Sequence, residues 1–514
     1  MSRLAHNLGL VAVAAAVVGL AGCGSTVEMG ADGTGVVATQ GLGGPTVSQP
    51  QTAPSSGGSA GVGDVTVPQG ATSSRTGHSV TAGIGATTPV GPSKPGGKSS
   101  GGAASVPTRV QTGPLTVGFL TTGTSNAQST DASLGNTVSE SGVDQALIAA
   151  MNKHGGIDGR PVKIVLAHTD TGSSNWANDF QAACATFTQD NHVDVVLGYQ
   201  FTYEPNLEQC LAKHGIPHLS DGFNVPSNSV LAQYPLFWSL DVPTIGERSI
   251  AKFQGAINTG FLTARNKLGI VLDDCPGTLD AWKSQVRPFL VSHHIDVAMT
   301  DTTSCGTGNN SGTTSTVSAI TSALVKFRSQ GVDRISFVSV SEAPALYVIS
   351  VEAQSQGYYP GWIVSSLGQL AIIGGEAPQS EMRNTHGYGW MPSQDVPPQY
   401  NPKANASQRR CYALLRSQGV KPRSAADFGY AYNACEAVFL YERALKLDGG
   451  SSNGVAVSAA IASLGHSFES TLNLYGRTTF SNAARNNAPA VYKPINWDGN
   501  CHCFRYGHQT YPMP

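Results

Sequence analysis

Charge is what this chain has least of. Its 514 residues carry 31 Lys plus Arg against 33 Asp plus Glu, a charged fraction of 12% and a formal net charge of -2. With no basic excess there is no electrostatic footprint for a nucleic-acid backbone, and nucleic acid is not expected as a partner. Long apolar runs are also missing: beyond Leu20 no stretch is long enough to span a bilayer as a helix. Catalytic signatures are thin. No His-Glu-x-x-His pattern occurs. The Gly-x-Ser-x-Gly matches at Gly57–Gly61 and Gly450–Gly454 lie in a Gly/Ser tract and after a helical pattern, whereas a nucleophile elbow needs a strand before it and a helix after. Pro92–Ser99 misses a phosphate-binding loop because Pro92 stands at the first glycine. Neither catalysis nor a cofactor is expected.

Glycine, with 60 residues, is abundant, and much of it lies near the N-terminus. That end opens with Arg3 and an apolar stretch from Leu8 to Leu20 free of acidic residues. The length suits the apolar core of a signal peptide and is short for a membrane span. It ends in Leu20-Ala21-Gly22-Cys23, which looks like a bacterial lipobox. Small residues before the cysteine give a peptidase access to the backbone, and the Cys23 thiol is the group that accepts lipid. The competing reading is an ordinary secretory signal with a chance cysteine. We expect residues 1–22 to be a lipoprotein signal peptide, with Cys23 anchoring the mature chain to the outer face of the cell membrane. Residues 23–113 are Gly, Ser, Thr, Pro, Ala and Val with few charges. Such a segment cannot bury enough apolar surface to offset its ordering entropy, and it reads as a disordered tether. Its root-mean-square span would be on the order of 50 Å.

The texture changes at Leu115. Strands are expected at Leu115–Leu120, Lys163–Asp170, Val193–Tyr199 and Ile216–Ser220, alternating with helices over Val138–Lys153, Asn175–Thr188 and Glu204–Lys213. After Asp241 the alternation restarts. Strands follow at Lys267–Asp273, Asp296–Asp301, Arg334–Val340 and Trp362–Ser366, with helices over Ile245–Thr259, Leu279–Ser292, Thr313–Ser329 and Ala343–Gln356. Beyond Gly368 the chain is more helical, most clearly at Gln408–Gln418 and Ala426–Leu447. This is an α/β pattern with parallel sheets, and its length demands two cores.

Met151–Val162 reads MNKHGGIDGRPV, a helix ending in Asn-x-x-Gly-Gly-Ile-x-Gly-Arg that runs into a strand. Gly155 and Gly156 suit a helix C-cap and Gly159 a tight turn. This stretch resembles the leucine/isoleucine/valine-binding family, type I periplasmic binding proteins that serve ABC importers. Val193–Thr202 (VDVVLGYQFT), His214–Asn224 (HGIPHLSDGFN) and the Ala431-Tyr432-Asn433-Ala434 helix are similar to that family in register. The resemblance runs from about Leu115 to the C-terminus. It implies two Rossmann-like lobes joined by three crossovers, near Asp241, Gly368 and Tyr492–Trp497. The first lobe would hold residues 114–241 and 368–490, the second 242–367 and 491–514. A small polar solute would bind in the cleft at the C-terminal ends of the strands and pass to an ABC permease, from a monomeric receptor. The same fold also serves ligand-sensing receptors without a transport role.

Carried over by position, Tyr199, Thr202, Gly222 and Asn224 would face the solute from the first lobe. Thr202 could equally cap the helix that opens beside it. In the second lobe Asp274–Thr278 stands where amino-acid binders place an aromatic, and Ser365–Gly368 where they place an acid. Glu342 is the nearest acidic substitute, with an ordinary first-turn acid as its alternative role.

Eight cysteines follow Cys23, an even number that fits an oxidising compartment. The resemblance implies a Cys184–Cys210 disulfide. Cys275 and Cys305 each follow a strand, and the ends of parallel neighbours lie close enough to bridge. Cys411 and Cys435 fall on helices expected to pack together. Cys501 and Cys503 would bridge locally or exchange with that pair, since a metal site wants more ligands nearby.

Overall fold

The structure is a computed structural model that describes residues 113–122, 137–169, 176–198, 205–220, 227–240, 242–275, 277–303, 310–339, 342–481 and 488–514. The expected signal peptide, Cys23 and nearly all of the expected tether lie outside these residues. Among the described residues no helix is long and apolar enough to cross a membrane.

Two sheets organise the chain. The first contains β1 (Leu115–Thr122), β2 (Val162–Thr169), β3 (Val195–Gly198), β4 (His218–Ser220) and β5 (Phe237–Ser239), all parallel, in the order β2-β1-β3-β4-β5. The second begins with β6 (Lys267–Asp273), β7 (Asp296–Thr303), β8 (Arg334–Val338), β9 (Gly361–Ser365) and β10 (Thr385–Gly389), again parallel. A small hairpin of β11 (Thr478–Thr479) and β12 (Ala488–Pro489) follows. The chain then adds β13 (Val491–Asp498), β14 (Cys503–Tyr506) and β15 (Tyr511–Pro512) antiparallel to the second sheet, giving the order β14-β13-β10-β9-β8-β6-β7 with β15 beside β13. Two α/β sheets of this kind, parallel but for the added C-terminal strands, are the type I periplasmic-binding-protein architecture that the resemblance implies.

One boundary shifts. The expected return to the first lobe near Gly368 comes later, because β10 pairs with β9 through Thr385↔Trp362 to Tyr388↔Ser365. The segment Thr385–Gly389 therefore belongs with the second sheet. Its glycines are required there: a Cβ at Gly387 would lie 2.6 Å from Leu370 Cδ1, and one at Gly389 would meet the Asp395 carboxylate.

The MNKHGGIDGR turn shows why its residues are needed. Asn152, near the end of the helix Glu140–Lys153, clasps the start of β2: Nδ2 donates to Val162 O at 2.9 Å, and Oδ1 accepts from Val162 N at 2.8 Å. Gly156 has φ +86°, and a Cβ on it would fall 1.8 Å from Arg160 O. Arg160 is buried and ties the turn to its surroundings, donating to Gly113 O and Gly450 O. The turn closes through the Ile157–Arg160 bridge.

The long helix Ala425–Leu447 forms much of the core. Ser424 and Asp427 make a capping box at its N-terminus. Asp427 also accepts from Thr137 N and Thr137 Oγ1, both at 2.7 Å, across 290 residues of sequence. These hydrogen bonds hold its carboxyl below the usual aspartate range despite partial burial. The helix is stapled to Ala406–Ser417 by the Cys411–Cys435 disulfide. Cys184–Cys210 and Cys501–Cys503 are likewise disulfides. Cys275 is disulfide-bonded as well, while Cys305 lies outside the described residues.

Candidate functional site

In a parallel α/β sheet, ligands collect where strands end and helices begin. Here β1 to β4, β7 and β8 run out, at or just past their C-terminal ends, into segments outside the described residues. Four of the expected first-lobe contacts, Tyr199, Thr202, Gly222 and Asn224, fall in those segments. The described strand ends set what frames them. Gly198, the last residue of β3, has φ +113°, and a Cβ there would lie 2.7 Å from Leu120 O, so β3 closes tightly over β1. On the neighbouring strands Thr121 Oγ1 and His168 Nδ1 are 2.7 Å apart.

The second sheet is described more fully. Asp273 ends β6, and its Oδ1 accepts from Cys275 N at 3.2 Å and Thr278 Oγ1 at 2.5 Å. This folds the loop after β6 back over its own strand. Gly277 then opens the next helix with φ +88°, and a Cβ on it would lie 3.3 Å from Ser227 N and Ser227 Cβ. Ser227 directly follows the segment after β4, so the connections that follow β4 and β6 come into contact here.

The second sheet also carries a buried charge network. The helix Ile245–Asn258 directs Arg248 and Lys252, four residues apart, toward the second sheet, and both are 0% exposed. Arg248 donates to Pro243 O and, at 2.6 Å, to Ser339 O just beyond β8. Lys252 donates to Phe337 O and, at 2.7 Å, to Glu342 Oε1. The other Glu342 oxygen accepts from Ser365 N at 2.6 Å and Ser365 Oγ at 2.9 Å. Burial lowers the Arg248 guanidinium to about 10, against the upward pull of Glu342 and Asp273. Burial also lowers Lys252, opposed by Glu342.

Of the two roles the sequence leaves open for Glu342, contact with a solute or a first-turn acid, this arrangement favours the second: the side chain is fully buried with both oxygens engaged. Its position opening the helix Glu342–Ser355 fits the alternative of a first-turn acid, and it ties β8, β9 and the helix Ile245–Asn258 together. A signal for this was present in the sequence: two cations at i and i+4 on an otherwise apolar helix face need a buried acid opposite them.

Ser366, which follows β9 where amino-acid binders carry an acid, serves the next crossover instead. Its Oγ accepts from Trp390 N at 2.8 Å and Met391 N at 3.1 Å and donates to Asp395 Oδ2 at 3.2 Å. Asp395 Oδ2 also accepts from Tyr506 OH at 2.6 Å and Met391 N at 3.0 Å. The carboxyl is 0% exposed, and burial pushes it up to about 7 against these hydrogen bonds. Asp395 was missed in the sequence because Asp-Val-Pro-Pro reads as an exposed turn.

No family model matches the chain, and no curated protein matches its sequence. Solved structures do match in fold. A solute-binding protein of an ABC transporter from R. palustris, in complex with 4-hydroxybenzoate, is 13% identical with a TM-score of 0.56, covering 78% of this chain and 98% of its own. A branched-chain amino acid transporter substrate-binding protein from Streptococcus pneumoniae, in complex with isoleucine, is 15% identical with a TM-score of 0.53, covering 77% and 99%. A branched-chain amino acid ABC transporter protein from Thermus thermophilus with bound valine is 12% identical with a TM-score of 0.56, covering 78% and 97%. The fold of the described chain is thus that of type I solute-binding proteins over nearly their whole length.

Proposed function

We propose that the protein is an extracytoplasmic solute receptor that captures a small polar molecule between its two lobes and delivers it to an ABC permease. The observation that carries this reading is the contact between the connections after β4 and β6, at Ser227 and Gly277, in a fold whose solved neighbours hold ligands. Binding rather than chemistry is its task. On this reading the first lobe comprises residues 114–241 and about 391–490, and the second 242–390 and 491–514. Crossovers at Asp241, after Trp390 and before Val491 act as the hinge.

Tyr199, Thr202, Gly222 and Asn224 supply the first-lobe contacts: a phenol, a hydroxyl, a carboxamide and backbone N–H groups. With Glu342 committed to Lys252 and Ser365, a solute ammonium loses the acid that the sequence offered it. This favours a neutral or anionic polar solute over a zwitterionic amino acid. Lipid on Cys23 and the tether of residues 23–113 hold the monomeric receptor at the membrane while leaving it free to reach the permease.

The test is equilibrium dialysis of the mature chain against mixed pools of aromatic acids, amides, amino acids, sugars and nucleosides, with retained molecules identified by mass spectrometry. The expected result is one retained chemical class. Retention of nothing from any pool would overturn the proposal.

A further inference from the structure

The hairpin of β13 and β14 lies at one edge of the second sheet and carries a disulfide that adds little to its fold. Its strands pair in register from Ile495↔Tyr506 to Asp498↔Cys503. In the turn, Asp498 Oδ1 accepts from Asn500 N and Oδ2 from Arg505 Nη1, both at 2.9 Å. Phe504 is buried against Trp497, with ring centroids 5.2 Å apart, and Tyr506 OH donates to Asp395. The Cys501–Cys503 bond is laid over this already fixed turn. Its sequence separation is 2, against 24 for Cys411–Cys435 and 26 for Cys184–Cys210, so of the three it constrains the unfolded chain least.

Its surroundings suit exchange rather than bracing. Cys501 and Cys503 are partly exposed and His502 between them is exposed, whereas Cys411 and Cys435 are fully buried. An attacking thiolate needs that access to a sulfur. His502 has φ +50°, in the left-handed region that a residue with a Cβ enters at a cost. Opening the ring removes one constraint that keeps it there. The two Cα atoms are 5.2 Å apart across a turn that the hairpin holds by itself, so a reduced pair stays within reach of closing again. An imidazole placed between two cysteines also favours, in its protonated form, the thiolate that leaves.

We propose that Cys501 and Cys503 form a reversible dithiol–disulfide couple that accepts electrons from an external dithiol. The donor's first thiolate attacks one sulfur of the pair, forming a mixed disulfide and releasing the other sulfur as a thiolate, which takes up a proton. The donor's second thiol, once deprotonated, attacks its own sulfur in the mixed disulfide. The donor leaves as a disulfide and the second cysteine is released and protonated. Two electrons and two protons have then passed from the donor to Cys501 and Cys503. This couple does not depend on the proposed solute cleft.

The probe is dithiothreitol, added to the mature full-length chain at about pH 7.5, with free thiols trapped by alkylation at successive times and located by peptide mass spectrometry. The expected result is that Cys501 and Cys503 open at least about 10-fold faster than Cys411 and Cys435, and close again when oxidised glutathione replaces the dithiothreitol. A smaller difference, or failure to close again, would overturn the proposal. The double variant Cys501→Ala/Cys503→Ala should lower the melting temperature by less than Cys411→Ala/Cys435→Ala does. An equal or larger fall, or failure of the first variant to fold, would make the bond a structural brace and overturn the proposal too.

Discussion

Replacing Glu342 with Gln discriminates sharply between a residue that reaches a solute and one that holds the fold. Lys252 and Glu342 are both fully buried at 2.7 Å, with Arg248, a second buried cation, on the same helix. At an effective dielectric of about 20 their attraction is roughly 6 kcal/mol, much of it offset by the cost of burying both charges. Glu342→Gln keeps the shape and removes the charge, stranding Lys252 beside Arg248. Breaking one partner of such a pair costs about 3–5 kcal/mol, and Lys252→Met should cost a similar amount by stranding the carboxylate. The double variant should cost less than the sum of the two, by about 2–3 kcal/mol, because neither charge is then left alone. Guanidinium unfolding of the ligand-free protein, followed by tryptophan fluorescence, reads all four stabilities. Singles within about 1 kcal/mol of the parent, or a strictly additive double variant, would refute the buried-pair account.

Four further outcomes follow. Asp395 has a folded-state value of about 7 against about 4 in an unfolded chain, so the fold favours its protonated form. Its contribution is fully present below about pH 4, falls by roughly 1.4 kcal/mol per pH unit, and is lost above about pH 7, some 4 kcal/mol in all. Asp395→Asn should therefore gain on the parent as pH rises from 5 to 8, and denaturant midpoints that stay parallel across that range would contradict this. Gly156→Ala places a Cβ 1.8 Å from Arg160 O at φ +86° and should destabilise by more than about 3 kcal/mol, read by the fall in melting temperature. Removing Cys411–Cys435, with a sequence separation of 24, should cost about 3.5 kcal/mol by loop-entropy arguments. Thiol titration of the denatured, unreduced chain should find no free thiol among the eight cysteines beyond Cys23, and two or more would contradict the pairing.

Much of the fold was legible because its strands are buried on both faces and its helices are bounded by clear stop signals. Lys267–Asp273 reads as a strand in sequence and is one in the structure, since LGIVL after Lys267 is a continuous apolar run that includes the β-branched Ile270 and Val271. The helix Ala425–Leu447 starts within one residue of the expected Ala426, and the Ser424–Asp427 capping box fixes that start. What escaped lacked such signals. Phe237–Ser239 is three residues long, too short for any periodicity. Thr385–Gly389 (THGYG) carries two glycines that normally argue against a strand, and those glycines are demanded by Leu370 and Asp395 pressing on the sheet. Val491–Asp498 contains Pro494, which is tolerated within its antiparallel pairing opposite Tyr388. Glu342 was legible as a first-turn acid, but its partner was not, since a single sequence does not show that Lys252 packs across from it.

The central claim is solute capture between two lobes, and thermal unfolding of the mature chain across a panel of small polar solutes tests it most directly. A solute bound by the folded state alone stabilises it by about 2.7 kcal/mol at a concentration 100 times its Kd. The account predicts that one chemical class raises the melting temperature in a dose-dependent way, and that substituting Thr202 or Asn224 removes the rise without lowering the ligand-free midpoint. A panel in which no class moves the midpoint, or a rise that both substitutions leave intact, would contradict it.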